Sequence, residues 1–257
     1  MPGSPDHGQV TDRYGDPVTS GVVHDAGPRG STSGTPVGRP SWWAVLAALV
    51  VGGLVTLDLL TYGASERFDE LVSDVVKDWG LADSAAYPLV WLVTQLGGRV
   101  TILVVLAGLV GYLAWTRRTL LPLVRVVVAV ALLTGTVYAL KYGTGRTAPR
   151  FPGSYFFHDD GASFPSGHVA NAVLMWGVAR WQAVEYGLPA RVQQVFWWLA
   201  VVDPVLTGLS MISLDFHWVT DAVVGAAVGV LLLGVVHALD AFVLSRWVRA
   251  RAGRQTA

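Results

Sequence analysis

The sequence predicts an all-α membrane protein, a bundle of six transmembrane helices. Hydrophobic residues make up 53% of the 257 residues and charged residues only 14%, and the mean hydropathy is +0.49. A soluble domain carries roughly 25% charged residues, so this deficit indicates a lipid environment. The chain also contains six apolar runs, each close to the length of about 20 residues with which a helix crosses a bilayer.

The six runs must be helices, because hydrocarbon offers no hydrogen-bond partners to the open edges of strands. The second run is long and is interrupted by Gly-Gly-Arg at 97–99. In chain order the runs are 42–62, 87–115, 120–142, 168–186, 192–214 and 218–243.

The two ends of the chain differ from this membrane domain, which is expected over residues 41–247. Residues 1–40 are rich in Gly, Pro, Ser, Thr and Asp, which predicts a disordered tail. They lack the regions of a signal peptide, so the first span is expected to act as the targeting signal. Residues 248–257 form a basic tail. The chain contains no cysteine, which excludes disulfides and thiol nucleophiles.

Basic residues predict the orientation in the membrane. The connections after the second and fourth runs are basic, as is the end of the chain, whereas the connection 63–86 is acidic. The positive-inside rule therefore predicts a multi-pass protein of the plasma (cytoplasmic) membrane with both termini in the cytoplasm. The connections 64–86, 143–167 and 215–217 then lie on the outer side.

The first outer connection contains apolar residues at helical spacing. This spacing predicts a short amphipathic helix on the outer surface between spans one and two. The apolar residues are Phe68, Leu71, Val75 and Trp79.

Three polar clusters fall on the predicted outer side, at 141–150, 160–168 and 209–221. Their residues also have ordinary explanations. Lys141 ends a span, where a lysine reaches lipid head groups. Ser166 is a suitable helix N-cap. His217 and Asp221 are four residues apart, the spacing of a simple contact along a helix.

Taken together, the clusters indicate chemistry on a phosphate. A carboxylate one turn from His217 can fix the imidazole tautomer and raise its basicity. The second histidine, His168, follows a Ser-Gly turn whose backbone N–H groups suit an anion. With Lys141 opposite, the two histidines can divide the roles of nucleophile and general acid.

The order of these motifs resembles the type 2 phosphatidic acid phosphatase (PAP2) superfamily, which includes the vanadium haloperoxidases. Its pattern is Lys-x6-Arg-Pro, then Pro-Ser-Gly-His, then Ser-Arg-x5-His-x3-Asp, on a six-helix core in membrane members. The resemblance covers about 42–245. It implies no metal or other cofactor. It implies that His217 is the nucleophile that forms a phosphohistidine, that Asp221 orients His217, and that His168 protonates the leaving alcohol and then activates water.

The resemblance also implies which groups hold the phosphate. Lys141, Ser166 and the Gly167 amide match the family positions, and Ser210 is the serine of the third motif.

Two arginines of the family pattern are replaced, by Ala148 and Met211. Removing one preorganised group of this kind commonly lowers a rate about 10²- to 10³-fold. Arg146 and Arg150, two residues on either side of Ala148, are candidates to replace the first arginine. No basic residue lies near Met211 in the sequence.

Acidic residues flank Met211 instead: Asp203 lies inside span five and Asp215 follows it. Carboxylates there would repel a phosphate. An acid within a span is by default a candidate functional residue, although it can equally serve as the partner of a polar group on a neighbouring helix.

The sequence leaves more than one function open. The favoured hypothesis is an integral-membrane phosphatase that hydrolyses a lipid or polyprenyl phosphate at the outer membrane face. The alternatives are a lipid phosphotransferase and a non-catalytic scaffold or lipid-binding protein. A haloperoxidase is disfavoured because its vanadate is bound by the arginines that are replaced. The expected partners are the bilayer and a lipid phosphate. A net charge of zero argues against nucleic acid, and the oligomeric state is not predicted.

Overall fold

The computed structural model describes residues 40–151 and 156–244. Within these ranges the chain forms eight α-helices and no β-strand. The helices are α1 (Trp42–Leu60), α2 (Ala64–Asp78), α3 (Tyr87–Thr94), α4 (Arg99–Arg117), α5 (Leu121–Thr144), α6 (Gly167–Glu185), α7 (Ala190–Ser213) and α8 (Val219–Leu239). A 3₁₀ turn, Leu81–Asp83, precedes α3, and a π-helical turn, Asp240–Leu244, extends α8. The predicted tails, 1–40 except for Pro40 and 248–257, lie outside the described residues.

Five helices in the described ranges are long and apolar enough to cross a membrane: α1, α4, α5, α7 and α8 with its extension to Val243. The prediction of an all-helical membrane protein is therefore confirmed. The fourth predicted run, α6, is not among the five because its sequence is less apolar. Most of its residues are buried against α4, α5, α7 and α8. Since α6 faces protein, it can carry polar residues such as Asn171 and Gln182.

The second predicted run is divided into α3 and α4, as its Gly-Gly-Arg interruption indicated. The turn between them packs tightly, because a Cβ atom on Gly97 would lie 2.6 Å from Thr207 of α7. The backbone oxygen of Gly97 also accepts a 3.0 Å hydrogen bond from the Asn171 side chain of α6. These two contacts fix the start of α4 against α6 and α7.

Helix α2 turns its polar side towards the protein. Its four predicted apolar residues are between 51% and 67% exposed, whereas Asp69, Ser73 and Val76 are buried. The Asp58 carboxylate at the end of α1 accepts a 2.7 Å hydrogen bond from the Ser65 backbone N–H, which supports the first turn of α2. An apolar face that points away from the protein suits a helix at a membrane interface.

A buried arginine joins α5, α6 and α8 far from the polar clusters. Arg125 of α5 donates hydrogen bonds of 2.9 and 2.7 Å to the Asp240 carboxylate and one of 2.7 Å to Glu185. Its guanidinium carbon lies 4.2 Å from the centre of the Trp181 ring. The guanidinium is therefore held by two acids and one aromatic face.

We expect Arg125→Ala to destabilise the fold by about 3–5 kcal/mol, since it removes a buried cation that bonds both Asp240 and Glu185. The measurement is thermal unfolding in detergent. The matched control is Arg191→Ala, an exposed arginine in the first turn of α7. Equal melting temperatures for the two variants would contradict a structural role for the Arg125 ion pairs.

Candidate active site

The structure brings the two histidines and the lysine of the motifs together. Lys141 lies in the last turn of α5, His168 near the start of α6, and His217 between α7 and α8. All three line two adjoining cavities, cavity one of about 370 Å³ and cavity two of about 460 Å³. These volumes lie in the range of small-molecule sites.

Asp221 fixes the His217 ring. Its Oδ2 lies 3.2 Å from His217 Nδ1 and accepts a 3.1 Å hydrogen bond from the Trp218 backbone N–H. Because a carboxylate only accepts hydrogen bonds, this contact assigns the proton of a neutral ring to Nδ1, which leaves Nε2 with a free lone pair. His217 lines both cavities, so its unprotonated nitrogen is the candidate nucleophile.

Arg146 holds the other oxygen of Asp221. Its guanidinium is fully buried and donates hydrogen bonds of 2.8 Å to Asp221 Oδ1, 2.7 Å to Thr220 Oγ1 and 2.8 Å to Asp69 Oδ2. Asp69 also accepts hydrogen bonds from the Thr220 backbone N–H, at 3.1 Å, and from the Thr220 hydroxyl. Arg146, a candidate phosphate ligand from the sequence, lines neither cavity.

The loop before α6 is tied to the same carboxylate. Ser163 Oγ donates a short hydrogen bond to Asp221 Oδ2 and lies 3.3 Å from His217 Nδ1. The Ser166 backbone N–H donates to the Asp221 backbone oxygen at 2.9 Å. Neither Ser163 nor Asp69 belongs to the candidate site residues that the motifs predict. The only sequence signal for Asp69 was its place on the polar side of an amphipathic helix.

Some of the predicted phosphate ligands line the cavities, and others do not. Lys141 and Gly167 line cavity two, and Lys141 and Arg150 line cavity one. Lys141 Nζ also donates a hydrogen bond to the Ala162 backbone oxygen. Ser166 and Ser210 are buried and line neither cavity, and the Ser166 hydroxyl has no hydrogen-bond partner among the described residues.

The two replaced arginine positions face the site. Ala148 and Met211 both line cavity one, beside Lys141 and Arg150. The loss of charge relative to the family pattern therefore falls on the wall of the cavity itself.

The two acids that flank Met211 in the sequence line neither cavity. Asp203 accepts hydrogen bonds from the Trp176 indole, at 2.6 Å, and from the Thr207 hydroxyl, at 3.2 Å. It therefore serves as a partner for polar groups within the bundle. Burial raises the pKa of Asp215, and the charge of Lys77 opposes this shift.

Comparisons with known proteins agree with the motifs. The model of the PAP2 superfamily matches residues 122–243, which include every motif residue discussed above. This region belongs to the PAP2 superfamily. The resemblance indicated by the motifs is thereby confirmed.

Two curated relatives are named as phosphatases. This chain is 34% identical over 103 residues to phosphatidylglycerophosphatase B of Bacillus subtilis, a match that covers 39% of this chain and 49% of the relative. It is 30% identical over 185 residues to lipid A 1-phosphatase of Porphyromonas gingivalis, which covers 70% of this chain and 35% of the relative. The matches span half or less of the length of these relatives.

A solved structure shows the same fold. It is the crystal structure of a transmembrane PAP2-type phosphatidylglycerolphosphate phosphatase from Bacillus subtilis, with a TM-score of 0.58. The match covers 79% of this chain and 96% of that chain at 22% sequence identity. The described helices therefore have the arrangement of a transmembrane PAP2 protein.

Arg146 and Arg150 allow a matched test of whether the buried network stabilises the fold. We expect Arg146→Ala to lower the melting temperature in detergent strongly, by the equivalent of about 3–5 kcal/mol, because Asp69 and Asp221 lose their shared cation. Arg150→Ala removes an exposed side chain and is expected to leave the melting temperature within about 0.5 kcal/mol of the original protein. A stable Arg146→Ala protein would contradict the buried network.

Proposed function

We propose that this protein is an integral-membrane phosphatase that hydrolyses a lipid or polyprenyl phosphate through a phosphohistidine intermediate. One observation carries the proposal: His217, held by Asp221, lies with His168 and Lys141 at the junction of two cavities. Phosphatase relatives and the PAP2 match support the same reaction class.

The reaction proceeds in two steps. His217 Nε2 attacks phosphorus, the bond from phosphorus to the lipid oxygen breaks, and His168 donates its proton to the leaving alcohol. His168 then takes a proton from water, whose oxygen attacks phosphorus. The bond from phosphorus to Nε2 breaks, which releases inorganic phosphate and restores His217. Asp221 stabilises the positive ring of His217 in both steps.

Cationic and N–H groups stabilise the charge that develops on the phosphoryl oxygens. Lys141 and Arg150 line cavity one, and the Gly167 N–H at the start of α6 is available to an anion. Ser166 and Ser210 face these oxygens only if the walls of the site rearrange. This ligand set replaces the family arginines in part.

The lipid chain is proposed to lie along α5. Cavity two has an apolar wall formed by Leu133, Val137 and Tyr138 of that helix. The head group then reaches the histidines while the chain stays among apolar side chains. Phosphatidylglycerol phosphate and the 1-phosphate of lipid A, named by the relatives, are candidate substrates of this class.

We place the site on the outer face of the plasma membrane, with both termini in the cytoplasm. In this topology α6 joins the five apolar helices to make six spans. Its 19 residues reach about 28 Å, and it packs among the other spans. The membrane domain covers 41–247, and the tails are cytoplasmic. Helix α2 lies at the outer interface with its apolar face towards lipid.

Two alternative functions remain as outcomes of the experiments. The uncharged Ala148 and Met211 in cavity one favour a non-catalytic scaffold that binds lipid. A phosphotransferase would use the same phosphohistidine with an alcohol, rather than water, as the acceptor.

The first experiment measures phosphate release by the purified protein in detergent. The panel contains phosphatidic acid, lysophosphatidic acid, phosphatidylglycerol phosphate, a lipid A 1-phosphate and a polyprenyl diphosphate. We expect release from at least one lipid, and a loss of about 10³-fold or more in His217→Ala, which removes the nucleophile.

The matched control is His158→Ala, an exposed histidine of the loop that lines neither cavity. Equal release by His217→Ala and the original protein would rule out the phosphohistidine. A folded protein that releases no phosphate from any lipid would count against hydrolysis and favour the scaffold or the phosphotransferase.

Orientation is testable because the chain contains no cysteine. We expect a membrane-impermeant maleimide to label Asp159→Cys in intact cells, since this exposed position precedes the candidate site. Arg191→Cys, at the start of α7, should be labelled only after permeabilisation. The reverse pattern would place the site on the cytoplasmic face.

A further inference from the structure

Arg99 is a cation beside the histidine pair that belongs to none of the three motifs. It is the first residue of α4, its side chain is exposed, and it lines cavity two with Lys141, His168 and His217. It forms no hydrogen bond or ion pair with another residue of the described ranges. Its guanidinium is therefore available to a ligand.

The charged side chains that line cavity two are cations. They are Arg99 and Lys141, which lie with His168, His217 and Tyr138 in the lining, and no carboxylate lines this cavity. Cavity one, by contrast, has Asp160 in its wall. Two cations on the wall of a cleft attract an anion.

The fold holds Arg99 at this place. Gly97, two residues earlier, accepts the hydrogen bond from Asn171, which lies one helical turn after His168 on α6. Gly97 also packs against Thr207 so closely that a Cβ atom would not fit. The position of Arg99 is thus set by two helices of the bundle, and this suits a binding residue better than a mobile loop would.

We propose that Arg99 binds the phosphoryl group of the substrate, supplying from α4 a guanidinium that Ala148 and Met211 no longer supply. A guanidinium can hold two phosphoryl oxygens at once. Arg99 binds the phosphate from cavity two, which has the apolar α5 wall, whereas Arg150 lines cavity one. That the bound anion is the phosphate of a lipid rests on the proposed function.

Two readouts test Arg99, and only one of them needs catalysis. The first is the binding of inorganic phosphate to the purified full-length protein in detergent, measured by calorimetry. The second is kcat/KM on the best lipid of the panel. The variants are Arg99→Ala, Arg99→Gln and Arg99→Lys, each checked for folding by circular dichroism. The matched control is Arg191→Ala, an exposed arginine in the first turn of another candidate span.

We expect Arg99→Ala and Arg99→Gln to weaken phosphate binding about 10- to 100-fold, as for a lost hydrogen bond to a charged group. They should lower kcat/KM about 10²- to 10³-fold. Arg99→Lys should fall between these variants and the original protein. The Arg191→Ala protein should stay within about twofold of the original in both readouts, because it removes a cation outside both cavities.

The possible failures can be told apart. Phosphate binding that depends on Arg99 in a protein that hydrolyses no lipid would support the role of Arg99 and count against the phosphatase. Hydrolysis unchanged by Arg99→Ala would overturn the role of Arg99 and leave the phosphatase intact. An original protein that binds no inorganic phosphate would also overturn it. So would equal losses in Arg99→Ala and Arg191→Ala, since a general effect of surface charge would then explain both.

Discussion

The buried ion pairs of Arg146 are the contacts on which the site depends. One guanidinium bonds Asp69 of α2 and Asp221 of α8, and its own backbone lies in the loop after α5. Three separate parts of the chain therefore meet at one charge. Two carboxylates buried together would repel each other strongly without it. The position of His217 follows from this pairing, because Asp221 can orient the ring only while its second oxygen is held.

The same principle explains how the bundle accommodates polar residues. In each of these contacts a polar group of one helix meets a partner on another part of the chain: Arg125 with Asp240, Asp203 with Trp176, and Asn171 with the Gly97 backbone. Helix α6 contributes to two of these contacts and is surrounded by other helices. A central helix that faces protein needs fewer apolar residues than one that faces lipid, which is why hydropathy alone under-represents it.

Much of the fold and part of the site follow from the sequence. Long apolar runs indicate membrane helices through composition alone. The spacing of His217 and Asp221 indicates a contact along one helix turn. The role of Arg146 is not readable in this way, since its partner Asp69 lies 77 residues away and only the fold brings the two together. The role of Arg99 cannot be predicted from the sequence for the same reason. In the sequence Arg99 is part of the Gly-Gly-Arg break in an apolar run, and in the structure it lines cavity two.

The charge of the Arg146 cluster has a further consequence for the histidine beside it. With both acids ionised, Asp69, Arg146 and Asp221 together carry one net negative charge. A phosphoryl group on Nε2 would leave the His217 ring with one positive charge, since Nδ1 keeps its proton. In the proposed reaction, that positive ring would form beside a negative charge that is in place before the substrate arrives, so the step would need little reorganisation.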